Sequence, residues 1–492
     1  MMQGHLSLLL VVIPLLAAPI VAVLPRGRMA WLLTLLVTAT CLVLAGVQLS
    51  AVVGNGLISY ELGGWAPPWG IEYRIDALNA LVALIISGIA AVTVPYALLS
   101  AEKEIPAGKL SLFYSAFLLC FAGLLGITQT GDIFNVFVFL EISSLSSYAL
   151  ISLGRKRQAL TSAYQYLIMG TLGATFFLIG VGLIYSVTGT LNMMDLAQRL
   201  PDVTGLKTVH TGFAFIMIGF ALKLAMFPLH LWLPNAYTYA PTVISVFLAA
   251  TATKVALYVM LRILFTVFPF DFVIATPTNE LFMLSGLAAI LSASVYAIYQ
   301  MDIKRLLAYS SVAQIGYMAL GIGLASAMGV TASIVHLFNH ALMKGALFMA
   351  IGAIIYRIGA CRMDTIHGLG RQMPWTFGAI VIAGLSLVGV PGTAGFISKW
   401  YLVLAALEQN AWVLVAVILI GSLLAVVYVG KIIEALYFKP ATDEIKDVKE
   451  APLLLLAPTW VLVLANIYFG LNTELTVGVA EQAAQALGVV FK

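Results

Sequence analysis

Charge is what this chain has least of. Charged residues fill 9% of its 492 positions and hydrophobic ones 62%, whereas a soluble domain carries about 25% charged residues. This excludes a protein built on one or two soluble cores, which cannot absorb so much apolar side chain; many membrane spans can. Cysteine is scarce too. Cys41, Cys120 and Cys361 are the only three, far apart and in or near apolar runs, which excludes a disulfide framework and a cysteine metal centre. The formal net charge of +4 comes with no dense basic face, so nucleic acid is not an expected partner. The glycines of GVGLIYSVTG lie inside an apolar run, outside the strand–turn–helix setting of a phosphate loop. With no flavin, quinone-redox or iron–sulfur ligand set, no cofactor is expected.

What the chain does have is length in its apolar runs. Fourteen runs are long enough to span, near 6–24, 29–53, 76–100, 110–127, 133–153, 161–187, 210–233, 241–268, 279–299, 303–326, 331–357, 375–404, 411–438 and 451–470. They are continuous and of helix length, not alternating segments of about ten residues as in a barrel. The expected fold is an all-α polytopic membrane protein. The first run, His5 to Leu24, has no Lys or Arg before it, and the next run follows after only Pro25-Arg26-Gly27-Arg28. It reads as a true span and not as a signal peptide.

Lysine and arginine set the orientation. Loops after odd-numbered spans carry Arg26 and Arg28; Lys103 and Lys109; Arg155, Lys156 and Arg157; Lys304 and Arg305; Arg357, Arg362 and Arg371; Lys439, Lys446 and Lys449. Loops of the other parity carry few, such as Arg199 and Lys207. The positive-inside rule then puts both termini outside the cytoplasm. The tail 471–492 is expected to lie at the interface or dock on a neighbour.

A weak internal repeat runs through the middle. SSYALISLG in span 5 resembles IGYMALGIG in span 10, which sets Glu141 near Ser310. Aligning Tyr185 with Tyr356 sets Gln165 opposite His336, Met169 opposite His340 and Gly173 opposite Lys344. The repeat unit is five spans, 4–8 and 9–13; five is odd, so the copies are inverted in the membrane. The expected divisions are 1–109 (spans 1–3), 110–270 and 271–438 (the two repeats), and 439–492 (a loop, span 14 and the tail). Span 7 carries Pro228 and Pro234 around His230, and span 12 carries Gly389, Pro391, Gly392 and Gly395. Both are expected to be broken, which is tolerable at membrane depth only against protein or a wet cavity.

The few charges stand in the wrong places for an inert bundle. A charge in hydrocarbon is costly and is kept where it faces a protein interior or water. Glu141 lies about eight residues into its run and must be protonated or paired; Lys223 is its natural partner. The plain alternative is a structural ion pair. Lys254 lies mid-span near Thr251 and Thr253 and reads as a relay, while Arg262, two turns on, reads as an anchor able to snorkel outward. His336, His340 and Lys344 follow at four-residue steps and line one helix face beside Asn339. Histidine loads and unloads a proton near neutral pH. The HxxxH spacing lacks a third ligand, so no metal is expected. Lys399, after the break in span 12, reads as a relay end, with an interfacial lysine as the alternative. Asp76 and Asp132 read as helix caps, Lys431 and Glu434 as a local pair, His230 as a hydrogen-bonded brace and His367 as solvated. Tryptophans 65, 69, 375 and 400 read as interface anchors.

GDIFNVFVFLEISSLSSYAL, FPLHLWLPNAY, ATKVALYVMLR, DIKRLLAYSSVAQIGY, HLFNHALMKGALF and GFISKW together resemble the antiporter-like membrane subunits shared by respiratory complex I, membrane-bound hydrogenases and the multisubunit Mrp sodium/proton antiporters. The resemblance covers essentially the whole chain and is strongest to the Mrp D subunit. It implies fourteen spans, two inverted five-helix repeats and broken seventh and twelfth helices. It implies Glu141 and Lys223 as a paired switch, Lys254 as central relay, His336 and His340 as onward carriers and Lys399 as terminal site; Lys344 resembles a position commonly lysine. GVPGTAGF departs from the GIPPLSGF of many relatives, with Gly392 for a proline and Thr393 for an apolar residue.

The function expected is therefore proton translocation within a cation (Na+)/H+ antiporter complex in a prokaryotic cell membrane, with other membrane subunits and the lipid bilayer as partners. A complex I-like or hydrogenase-like proton pump is the alternative, in which any redox chemistry belongs to partners. A membrane scaffold and a solute carrier are weaker alternatives. Sodium prefers oxygen ligands, and the buried path is rich in lysine. The chain is expected to carry protons and leave any sodium step to another subunit.

Overall fold

Apolar runs of this length satisfy their backbone hydrogen bonds internally by coiling, and the computed structural model, which describes residues 2–440 and 447–488, is built almost wholly of helices. Lys446, counted above among the loop cations, and the tail end 489–492 lie outside the described residues. In chain order the helices are α1 (Met2–Val23), α2 (Gly27–Asn55), α3 (Ala77–Glu104), α4 (Leu110–Gln129), α5 (Ile133–Ser152), α6 (Gln158–Thr188) and the short α7 (Met193–Arg199). Then come α8 (Lys207–Leu224), α9 (Trp232–Tyr239), α10 (Thr242–Arg262), the short α11 (Phe270–Ala275), α12 (Thr278–Ile298), α13 (Ile303–Gly323) and α14 (Ala327–Ile358). The chain ends with α15 (Pro374–Val388), α16 (Ala394–Glu408), α17 (Trp412–Tyr437), α18 (Leu453–Leu471) and α19 (Glu474–Ala486).

Among the described residues, 12 helices are long and apolar enough to cross a membrane by length and composition. Two interrupted segments, α8–α9 and α15–α16, complete the fourteen crossings read from the sequence. The protein is a multi-pass membrane protein. The gap near 128–132 is a real boundary: Asp132 caps α5, its side chain accepting from Asn135 N at 2.7 Å. Asp76 likewise caps α3 in a reciprocal box with Asn79.

The short helices α7 and α11 and one hairpin were not anticipated. Between α2 and α3 the chain forms an antiparallel hairpin, Ile58–Glu61 with Glu72–Ile75, whose connection exposes Trp65 (70%) and Trp69 (91%). Buried Glu72 ties it to the bundle, accepting from Ser59 Oγ at 2.6 Å and from Asn192 Nδ2 at 3.1 Å. The tail docks within its own chain: α19 packs on α3 and α14 through Val477, Ala480, Ala483 and Ala484.

Backbones come close where glycines face each other, as small residues permit. A Cβ on Gly180 of α6 would sit 2.6 Å from the Gly212 carbonyl of α8, and one on Gly286 of α12 would sit 2.7 Å from the Gly316 carbonyl of α13. A short two-residue bridge also occurs twice. Before α5, Ile133 N donates to Leu191 O (2.9 Å) and Met193 N to Gly131 O (2.9 Å); before α13, Ile303 N donates to Cys361 O (3.0 Å) and Met363 N to Met301 O (2.9 Å). Five crossings separate the two bridges, so they lie at opposite ends of the bundle.

Candidate functional site

The two interrupted segments position much of the site. Helix α8 stops at Ala225, which takes a left-handed conformation (φ 59°), and residues 225–231, with Pro228 and His230, are not helical. Pro234 is not part of the break but lies in the first turn of α9. The Leu222 carbonyl accepts from Ala225 N at 3.2 Å and from Trp232 Nε1 at 2.9 Å, and the Trp232 ring stacks on Tyr166 at 4.2 Å. The His230 ring stacks on Phe227 at 5.1 Å, and its buried Nδ1 has no protein partner. In the second break Gly389 (φ 92°) and Gly392 (φ 85°) carry the backbone from α15 to α16. Gly395 lies past it, where its N–H donates to Ser386 Oγ at 3.1 Å.

Lys223 is buried, but it does not touch Glu141. Its Nζ donates to Ser144 Oγ at 2.7 Å and lies 3.5 Å from Tyr148 OH. Ser144 is one turn beyond Glu141 on the same face of α5, so a serine stands where the sequence suggested a direct pair. The two charges remain within electrostatic reach of each other. Glu141 is only partly buried, and its Oε1, itself covered, has no hydrogen-bond partner. It shares its side of α5 with exposed Phe134, Val138 and Leu145. The rotation of α5 leaves Glu141 at the edge of the buried face, which its depth in the run did not reveal.

Beside Lys223 a cavity of about 30 Å³ is lined by Ser143, Ser144, Ser147 and the α10 residues Ala252, Val255, Ala256 and Val259. That is room for water, and the hydroxyls and ammonium supply its hydrogen bonds. Lys254, on α10, is 1% exposed. Its Nζ donates to the Ala249 carbonyl and lies 3.4 Å from Thr253 Oγ1.

Helix α14 packs against α10, α13 and α16. His336, His340 and Lys344 are buried along it, the two imidazoles parallel with centroids 6.0 Å apart. Lys344 Nζ donates to Ser310 Oγ at 2.5 Å and Leu307 O at 2.9 Å. His336 Nδ1 is 2.8 Å from Ser398 Oγ. His336 Nε2, both nitrogens of His340, Asn339 Oδ1 and Gln314 Oε1 have no protein partner. Buried polar atoms in this state are normally met by water. Lys254 is within electrostatic reach of His336, His340 and Lys344, and Lys399 of His336.

Lys399 is buried, not interfacial. Its Nζ donates to Leu387 O (3.1 Å), Val388 O (2.9 Å) and Ser422 Oγ (3.0 Å) and lies 4.8 Å from the centre of the Tyr317 ring. Tyr317 in turn lies 5.8 Å from the His336 ring. Tyr317, Ser398 and Ser422 escaped the sequence reading, since neutral side chains in apolar runs carry no signal until the helices are assembled.

The structure thus gathers Lys254, His336, His340, Lys344 and Lys399 into one interior stretch. Lys223 stands across the serine-lined cavity, and Glu141 at the outer edge. Other readings change. Arg262 does not snorkel; it forms a buried ion pair with Asp76. Lys431 does not pair with Glu434 but donates to Ile298 O at 2.6 Å, while Glu434 meets Lys439 at 3.8 Å. His367 is half-buried. All three cysteines are free and buried.

A bundle of this shape is not unique to this chain. Residues 130–425 match the family described as NADH:quinone oxidoreductase/Mrp antiporter, TM. The chain belongs to this family. It is 41% identical to the N subunit of an NADH-quinone oxidoreductase from Desulforudis audaxviator, over 96% of this chain and 97% of that one. It is 31% identical to the D subunit of a Na(+)/H(+) antiporter from Alkalihalophilus pseudofirmus, over 86% and 85%. Among solved structures it resembles a chain of the Mrp complex from Dietzia sp. DQ12-45-1b, with TM-score 0.90, 27% identity, and 99% and 98% of the two chains covered. It resembles a chain of the archaeal membrane-bound sulfane sulfur reductase equally well, with TM-score 0.90, 31% identity, and 98% and 97% covered.

Proposed function

We propose that this chain is the proton-translocating subunit of a multisubunit membrane complex, of the kind represented by the D subunits of Na+/H+ antiporters. The observation that carries the reading is the interior stretch of bases, Lys254, His336, His340, Lys344 and Lys399. Bases in an apolar bundle are kept where they exchange protons or face water. The hydroxyls of Ser144, Ser310, Ser398 and Ser422, each at 3.0 Å or less from one of these groups or from Lys223, accept and donate in turn. Glu141 and Lys223 form the switch at one end through Ser144, Lys254 is the middle carrier and Lys399 the far end. Protonation of one site changes the proton affinity of the next, so the line conveys a proton together with an electrostatic signal.

Residues 110–270 and 271–438 form two inverted repeats in this reading, supported by the paired bridges and paired breaks at opposite ends of the bundle. Residues 1–109 and 439–492 flank them. The ends of α3, α5 and α14 that carry the lysine- and arginine-rich loops face the cytoplasm of a prokaryotic cell, and both termini face the other side. Other membrane subunits are the partners, supported by the complexes in which the similar chains occur. The interior stretch offers few oxygen ligands, so sodium crosses elsewhere.

A second reading is favoured by the 41% identity to an oxidoreductase N subunit, higher than the 31% to an antiporter D subunit: the same proton path driven by a redox enzyme. Reconstituting the intact complex in proteoliposomes separates the two. A sodium gradient that acidifies or alkalinises the lumen without an electron donor supports the antiporter. Proton movement only on addition of an electron donor and acceptor supports the redox-driven pump. Proton movement by neither route contradicts both.

A further inference from the structure

Four cations at one end of the bundle belong to no part of the relay. Lys103 ends α3, Arg155 and Lys156 lie between α5 and α6, and Lys304 begins α13; all line one cavity of about 130 Å³. None of the four forms an ion pair among the described residues. Three of them rest on backbone carbonyls instead: Lys103 donates to Tyr356 O, Arg155 to Lys103 O, and buried Lys304 to Ala240 O at 2.8 Å. The two carboxylates in the lining are engaged elsewhere. Glu104 accepts from Ser100 Oγ (3.0 Å) and Thr242 N (2.9 Å), and Asp302 caps α13 through Arg305 N (3.1 Å). Arg362, also at the rim, is matched by Asp364 at 3.1 Å. The cavity therefore keeps an excess of two positive charges that the chain does not neutralise.

We infer that this cavity is a binding site for a phosphate-bearing anion, either a phospholipid headgroup or free phosphate. Two or more N–H-bearing cations converging from different helices suit a tetrahedral oxyanion with several acceptor oxygens. A basic pocket between helices at the headgroup level also suits an anionic lipid. A bound anion would tie α3 and the α5–α6 loop to α13, joining the two halves of the chain at one end. This site does not depend on what drives the complex.

The test uses the purified intact complex, with phosphatidylglycerol in detergent followed by native mass spectrometry and, separately, inorganic phosphate followed by isothermal titration. At least one of the two is expected to bind, and to bind about thirtyfold more weakly to Arg155→Gln/Lys156→Gln, whose side chains are exposed. Lipid binding alone assigns the headgroup, phosphate binding alone assigns the free anion, and competition between them assigns one site to both. Lys103→Gln, with about a fivefold loss expected, gives the same reading if the double variant does not assemble. Binding of neither probe, or equal binding by wild type and an assembled variant, overturns the inference.

Discussion

The two broken spans place a lysine beside the break in opposite ways. In α8–α9 the lysine reaches away: Lys223 donates to Ser144 on α5, and the Leu222 carbonyl at the break is met by Ala225 N and the Trp232 indole. In α15–α16 the lysine reaches back: Lys399 caps Leu387 and Val388, the carbonyls freed by its own break. The first break thus has separate parts for shape and for charge, and the second assigns both to one ammonium. Removing the lysine should test only charge in the first and both properties in the second.

Lys399→Met carries the largest expected effect. Proton transport by the complex should fall about a hundredfold, and the complex should also lose about 2–3 kcal/mol of stability as the buried Leu387 carbonyl and the part-buried Val388 carbonyl lose their donor. Lys223→Met should match it in transport but cost less than about 1 kcal/mol, since the tryptophan still holds the break. Thermal melting of the two assembled variants makes the comparison, and equal losses of stability would break it. Trp232→Phe comes next, keeping the stack on Tyr166 but leaving Leu222 O with only its longer bond from Ala225 N at 3.2 Å. A loss of about 1 kcal/mol is expected, with transport reduced less than in either lysine variant. The smallest effect, and one of opposite sign, belongs to Ala225→Gly. Ala225 holds φ 59°, a left-handed conformation that costs a residue with a Cβ about 1–2 kcal/mol, partly offset by the flexibility of glycine in the unfolded chain. Melting should rise by an amount equivalent to about 1 kcal/mol or less, with transport unchanged. A fall would mean that the break needs the alanine methyl.

Much of this was legible before any helix was placed. Hydropathy locates spans because lipid and a protein interior both demand apolar side chains, so the runs matched the helices. Proline and glycine located both breaks because they act on the local backbone. The failures share one cause, which is that facing depends on helix rotation and on neighbours. Glu141 looked deep by position yet is only partly buried, and Lys223 donates to Ser144 and not to it. Arg262 looked like a snorkelling anchor until Asp76, remote in sequence, came beside it. Lys304 looked like an ordinary loop cation, though it is 6% exposed. Lys431 and Glu434 are neighbours by spacing, but the free end of α12 offers Lys431 a better-placed carbonyl. Tyr317 could not be singled out at all, because only packing sets its ring between Lys399 and His336.

The central claim is that the buried bases carry protons, and Lys254 tests it most directly. It stands between the two ends of the line, is buried to 1% exposure, and caps no break. Proton flux should be measured in proteoliposomes holding the intact complex with Lys254→Met, assembly being checked in the same preparation. The account predicts a loss of about a hundredfold with the complex whole. Wild-type flux through the assembled variant would contradict it.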